Sequence, residues 1–317
     1  MDISYLLLLQ QFREGTGGIF NGFFQFLTDL GWSVLPFLIV AMVYWCMDKK
    51  IGEYMLINSA ASSWLNSLFK LTACIYRPWI RSDALKPLSS AQATATGYSF
   101  PSGHMANAVA VYGGLAVKEK QHKAIRNWLI VLVLLIGFSR NYVGVHTPQD
   151  VLVSGALGIF LLWATARLLA WVEAKEGRDL WFLLGCAAVV VISIVYFSVK
   201  PYPMDYADGT LLVDPAKMRL DGYGNSGSLL GFALGWFLER RYVRFSTDVD
   251  ATRKLARFLP GGLVFLLLFQ SLGSVLVRLL PAAIARVTLG VALMLFLTWL
   301  YPAIFTALER KTAQAKR

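Results

Sequence analysis

The sequence predicts an all-α protein, a polytopic bundle of membrane helices preceded by an interfacial helix. Three observations carry that reading. Of 317 residues, 56% are hydrophobic and only 15% are charged, and the mean hydropathy is +0.55. The surface of a soluble domain needs more charge than that. The apolar residues also gather into runs of bilayer-crossing length. Finally, the basic residues behind a net charge of +11 sit mainly in the short connectors between runs, as the positive-inside rule describes.

Residues 4–28 mix Leu and Phe with Gln, Arg and Glu, which is too interrupted to span and predicts an amphipathic helix at the interface. The run LGWSVLPFLIVAMVYWCM follows and ends at Asp48-Lys49-Lys50; it is long enough to cross. Further spans are expected at 52–75, 103–118, 127–142, 149–172, 180–199, 224–239, 258–279 and 283–307, about nine in all. The connectors after the first, third, fifth and seventh spans carry most of the Lys and Arg, including Lys49-Lys50, Lys118 to Lys123 and Arg240 to Arg244. A basic tail from Arg310 to Arg317 shares that side. The opposite side receives the N-terminal helix, loop 76–102, the 140–148 region and the acidic loop 200–223. The N-terminus is therefore expected outside and the C-terminus inside. Residues 1–200 read as a core of six spans with the interfacial helix, and 201–317 as an outer loop with about three more spans.

Several classes are excluded. Nucleic acid would need one contiguous basic face, and the sequence has none. Cys46, Cys74 and Cys186 lie in apolar stretches without CxxC spacing, so they read as buried thiols and support neither a disulfide frame nor a zinc site. The N-terminus lacks a basic region and a small-residue cleavage site and is expected to be retained.

Ionisable groups within or beside spans are expensive, so each asks for a function. Lys70 and Arg77 are seven residues apart in FKLTACIYRPW, almost two turns at about 3.6 residues per turn, and leave one helix face. Pro78 disfavours helical geometry at Arg77 and marks the exit. Snorkelling accounts for Arg77 alone but not for the deeper Lys70. In GYSFPSGHM, Pro101 presets φ for a helix start and Ser102 is a good cap. Gly103 allows close approach to the backbone, and free N–H groups there favour an anion beside His104. In SRNYVGVHTPQD, Thr147, Pro148 and Asp150 read as a helix start close to a capping box. The Asp150 carboxylate can also orient His146; one oxygen would serve each job. His122, in a basic connector on the other side, reads as a solvated surface residue.

The topology brings three of these groups to the outer face together. Three cations, a helix N-terminus and two histidines describe a pocket for a tetrahedral anion with acid–base equipment. One histidine can attack phosphorus while the other protonates the leaving oxygen and then activates water; spacing leaves their order open. No acidic cluster resembles a metal cage, so neither metal nor cofactor is expected.

Lys70-x6-Arg77-Pro78, then Pro101-Ser102-Gly103-His104, then Ser139-Arg140-x5-His146-x3-Asp150 resemble the three signature motifs of the type 2 phosphatidic acid phosphatase superfamily, complete and in order. The resemblance is close over residues 65–155 and reaches spans one to six by topology. It implies a phosphohistidine mechanism with His146 as nucleophile, Asp150 as its orienter and His104 as general acid. Lys70, Arg77, Ser102, Gly103 and Arg140 would bind the phosphate. Ser139 belongs to the motif but reads equally well as a packed helical serine. The extra spans depart from six-span members and are similar to the layouts of the sphingosine-phosphate phosphatase and glucose-6-phosphatase branches.

The expected function is an integral-membrane phosphatase for lipid phosphate monoesters or diphosphates, such as phosphatidate, sphingoid-base phosphates or polyprenyl phosphates. Its partners would be membrane lipids and the phosphorylated lipid, in the plasma (cytoplasmic) membrane, with the site on the extracytoplasmic side and the C-terminus in the cytoplasm. Hydrolysis of a soluble phosphate ester such as a sugar phosphate is the runner-up. A transporter or flippase of anions, or vanadate-dependent peroxidation, would use the same cations.

Overall fold

The computed structural model describes residues 2–119 and 121–315. Lys120, Lys316 and Arg317, counted above among the basic connector and tail, lie outside the described residues. Regular structure is almost entirely helical. A short ladder pairs Tyr206–Ala207 with Thr210–Leu211 inside the 200–223 loop.

The stretch expected to form one interfacial helix is two, Asp2–Gly15 and Asn21–Gly31. The loop at 76–102 also contains two short helices, Pro78–Arg81 and Ser89–Thr94, the first opened by Pro78 where its missing N–H costs nothing.

Among the described residues, five helices are long and apolar enough to cross a membrane: Lys123–Tyr142, Pro148–Glu173, Arg178–Val199, Ala251–Leu279 and Ala282–Thr312. A sixth arises if Asn21–Gly31 and Val34–Met47, bent by 53° at their junction, count as one span. The expected count of nine is not confirmed. The segments expected at 52–75, 103–118 and 224–239 are helical but do not meet that standard. Their composition gives the reason. The Lys49–Ala73 helix buries Asn58, Ser59, Ser62, Asn66 and Ser67, trading lipid-compatible side chains for hydrogen-bonding ones. The 103–118 helix is short, and residues 224–228 read Gly-Asn-Ser-Gly-Ser.

The chain forms two compact units. One comprises the chain up to Pro36, Leu65–Trp163 and Phe197–Gly222. Within it the N-terminal helices hold the turn after the Lys123–Tyr142 helix. Arg13 is buried and donates to Tyr142 O at 3.3 Å and also to Lys86 O. Phe24 stacks on Tyr142 with ring centroids 4.0 Å apart. Tyr142, Val143 and Val145 pack with Ala91 and Ala95 of the 76–102 loop, against Phe24, Trp79 and Leu88. Gly144 has φ +79°, and a Cβ there would lie 3.1 Å from Pro87 Cα. Only glycine turns the chain there without strain.

The second unit comprises Phe37–Trp64, Ala164–Tyr196 and the chain from Tyr223 onward. Two of its buried charges are paired. Glu239 is fully buried and accepts from Lys49 Nζ at 2.6 Å. Arg257 pairs with both oxygens of Glu309 at 2.8 Å. The Pro215–Leu238 helix presents Gly227, Gly231 and Gly235 to the 282–300 segment. Small residues of this kind let membrane helices approach backbone to backbone.

A Cβ on Gly231 would lie 2.6 Å from Val291 O and 2.7 Å from Val291 Cα, and rigid backbone cannot give way. Gly231→Leu is therefore expected to lower stability by about 1–3 kcal/mol, the usual cost of overpacking. Gly185→Leu, whose Cβ meets nothing within 4 Å, should leave the thermal midpoint in detergent unchanged. Equal midpoints for the two variants would contradict the seam.

Candidate active site

The last turn of the Lys49–Ala73 helix carries Lys70. Its ammonium donates to Tyr98 O at 3.0 Å, Ser99 O at 3.2 Å and Pro101 O at 3.0 Å. An ammonium has three donors, so all of them stitch the 98–101 loop to the helix. Arg77, Asp150, Arg140 and Asp221 act on it electrostatically. Asn66, one turn earlier, also serves this loop by donating to Pro101 O at 3.2 Å.

Arg77 is 6% exposed. It donates through Nε to Gly97 O at 3.1 Å and through Nη1 to Val145 O at 2.9 Å. Burial lowers its pKa to about 10, which leaves it cationic at neutral pH. Nη1 also lies 2.9 Å from His146 Nε2. A guanidinium can only donate, so Nε2 must offer its lone pair and the imidazole proton belongs on Nδ1. That tautomer follows from the hydrogen-bond network. Nδ1 lies 3.2 Å from Asp150 Oδ2, and the proton there points at a carboxylate. Burial, and after it the Arg77 charge, hold His146 well below the usual histidine range despite the pull of Asp150.

Asp150 Oδ2 has two more donors. Ser99 Oγ is 2.5 Å away and Thr147 N is 2.9 Å away. In return Asp150 N donates to Thr147 Oγ1 at 3.3 Å, a reciprocal helix-start pairing of the capping-box kind. The expected division of labour between two oxygens is thus not what the structure has. One oxygen caps the helix and orients the imidazole, because Thr147 and His146 approach it from the same turn.

Ser102 is fully buried and is the N-cap of the 103–118 helix, accepting from Met105 N at 3.5 Å. Its own N donates to Asp150 O at 3.1 Å, and its O accepts from Ser154 Oγ at 2.6 Å. Pro101 stands one residue before the cap. The helix begins at Gly103, where an added Cβ would meet Asn66 and Trp32 only at 3.6 Å. The protein therefore leaves room there, and the first-turn amides have no acceptor within the helix.

His104 follows. Its ring nitrogens make no hydrogen bond to the described residues, and the ring centroid is 5.8 Å from that of Trp32. Arg140, His146, Arg77 and Lys70 all act on it electrostatically. Arg140 is 1% exposed, and its Nε and Nη1 have no partner among the described residues. Ser139 bonds Ile136 O at 2.7 Å and Thr28 Oγ1 at 2.9 Å, the packed role.

Every residue singled out from the three motifs thus lies in one unit. His122 lies apart, with an exposed side chain 3.4 Å from Glu119. Sequence reasoning missed Ser99, Asn66 and Ser154. Their signal was faint: polar residues in otherwise apolar runs, two of them one helical turn from Lys70 and from Asp150. Among the described residues no group of three or more His, Cys, Asp or Glu could hold a metal ion.

Comparison with known proteins agrees with the geometry. The model of the PAP2 superfamily matches residues 53–174. A second, for the PAP2 superfamily phosphatase transmembrane extension, matches residues 223–314. Phosphatidylglycerophosphatase B of Bacillus subtilis (strain 168) is 31% identical over 149 residues, covering 43% of this chain and 69% of that relative. Undecaprenyl-diphosphatase of Sulfolobus acidocaldarius is 26% identical over 149 residues, 47% of this chain and 70% of that relative. No solved structure matches. Both histidines, both arginines, Lys70 and Asp150 fall inside the first matched stretch, and the chain belongs to the PAP2 superfamily.

Proposed function

We propose that this chain is an integral-membrane lipid phosphatase that passes the phosphoryl group through His146. The observation that carries the reading is Arg140, a buried guanidinium whose Nε and Nη1 have no partner among the described residues, in the same unit as an imidazole whose tautomer is set by Arg77 and Asp150. Buried guanidinium N–H groups without an acceptor are costly, and a phosphate is an anion whose geometry a guanidinium fork matches. The two relatives are named for lipid phosphates, and a site carried on membrane helices meets substrates already concentrated in the bilayer.

The chemistry follows from the bonds. Phosphate draws Arg77 and Arg140 onto its oxygens, with the amides of Gly103 and His104 at the helix start. Arg77 leaves His146 Nε2, whose lone pair then attacks phosphorus. The ester P–O bond breaks as the P–N bond forms, and the leaving oxygen takes a proton from His104. Asp150, already bonded to Nδ1–H, stabilises the positive charge that grows on the ring. Neutral His104 then removes a proton from water, the hydroxide attacks phosphorus, and the P–N electrons return to Nε2. Lys70 and Ser102 hold the loop and the helix start that carry these groups.

Substrates of this reading are lipid phosphate monoesters or diphosphates of the phosphatidate, sphingoid-base or polyprenyl kind. The charge pattern supports an orientation with the site outside and the C-terminus inside, and the membrane of this reading is the cytoplasmic one. Residues 1–200 form the catalytic part and 201–317 the extension.

Phosphate release from a panel of lipid and soluble phosphates, with EDTA present, tests the proposal. His146→Ala should lose activity by three orders of magnitude or more, about the loss when a nucleophile is removed. Full activity in that variant would refute the phosphohistidine step. Arg140→Ala should cost about 10²–10³-fold in kcat on the same substrate, as loss of one transition-state donor does; a loss confined to KM would move Arg140 to ground-state binding alone.

Stability should also depend on pH. Folded His146 titrates below the unfolded value of about 6.5, so the unfolded chain binds more protons as pH falls through that range. Stability is then full above about 6.5 and declines below it. His146→Gln should flatten the decline in thermal midpoint between pH 7.5 and 5, and an unchanged slope would contradict the buried neutral ring.

A further inference from the structure

Trp32 stands in the two-residue break between Asn21–Gly31 and Val34–Met47. It lies outside both matched family stretches. Trp32 is 55% exposed, which leaves its indole face available to an apolar group. The break itself is tightly held. Asn107 Nδ2 donates to Gly31 O at 2.9 Å and Tyr112 OH donates to Leu30 O at 2.9 Å, so the 103–118 helix satisfies the last carbonyls of the preceding one. Gly31 permits the approach: a Cβ there would lie 2.8 Å from Ile136 Cγ2 and 3.4 Å from His104 Cβ. Trp32 is thereby fixed with its ring centroid 5.8 Å from His104 and its Cζ3 3.6 Å from where a Gly103 Cβ would stand.

That position identifies what the indole meets. In an in-line displacement the leaving oxygen lies on the far side of phosphorus from His146, next to the group that protonates it. An aromatic ring beside His104 therefore faces the first carbons attached to the leaving oxygen. We infer that Trp32 packs on this carbon chain and selects phosphates carried by a long apolar chain over phosphates of short alcohols. Exposed Phe23 and Phe26, at 52% and 59%, lie on the helix that leads into the break and continue the apolar surface on which the chain rests. The inference depends on the phosphatase reading above and names the substrate end that reading leaves open.

The full chain in detergent is assayed with dodecyl phosphate and butyl phosphate, comparing wild type, Trp32→Ala and Trp32→Phe. Trp32→Ala should raise KM for dodecyl phosphate about tenfold or more, the scale of losing a large apolar contact. Its kcat on that substrate, and its kcat/KM on butyl phosphate, should stay within about twofold of wild type. Trp32→Phe, which keeps an aromatic face, should restore most of the dodecyl KM. An unchanged dodecyl KM in Trp32→Ala, or equal losses on both substrates, would overturn the inference. So would a Trp32→Phe variant as impaired as Trp32→Ala. No phosphate released from either substrate by wild type would instead bring down the phosphatase reading, and this inference with it.

Discussion

Three donors on one carboxylate oxygen organise the site. Asp150 Oδ2 accepts from Thr147 N, Ser99 Oγ and His146 Nδ1. The first bond starts a membrane helix, the second ties in the loop before the 103–118 helix, and the third sets the imidazole. Secondary structure, loop position and the direction of a lone pair are therefore fixed by one atom. A carboxylate this buried is tolerable only when so fully bonded. The main chain adds to the knot: Ser102 N donates to Asp150 O, and Ser154 Oγ to Ser102 O.

Much of this was legible in the sequence. The spacing of Lys70, Arg77, Arg140, His146 and Asp150 against expensive apolar surroundings located the site, because charge within a span has few innocent explanations. What spacing could not convey was how each group spends its donors. Lys70 and Arg77 read alike as cations. Lys70 commits its donors to backbone carbonyls, whereas Arg77 reaches the imidazole. Which donors remain for a ligand is decided by the path of the 97–101 loop, a tertiary matter.

The expected span count is not confirmed for a related reason. Hydropathy assumes that a crossing helix faces lipid, but the Lys49–Ala73 helix faces protein with its Asn and Ser residues, and the 103–118 helix starts at a cap beside the site. The π-turns at Val43–Met47, Val109–Gly113, Glu239–Val243 and Phe296–Leu300 left no trace in composition. They answer to packing: Gly235, for one, lies against Thr298 within the last of these turns. The glycines of 227–235 were visible as letters, but their reason, a backbone neighbour at contact distance, was not.

The bond from Arg77 Nη1 to His146 Nε2 has one further consequence. In the reaction proposed above, the lone pair that would attack phosphorus is occupied by a cation that departs only when something more negative than an imidazole nitrogen takes its place. A neutral electrophile carries no such inducement and finds the ring closed, whereas an oxyanion opens it by the act of binding. On the phosphohistidine proposal the site would thus screen its visitors by charge before any bond to phosphorus formed, and in a membrane crowded with uncharged esters that screen would protect His146 from the wrong chemistry.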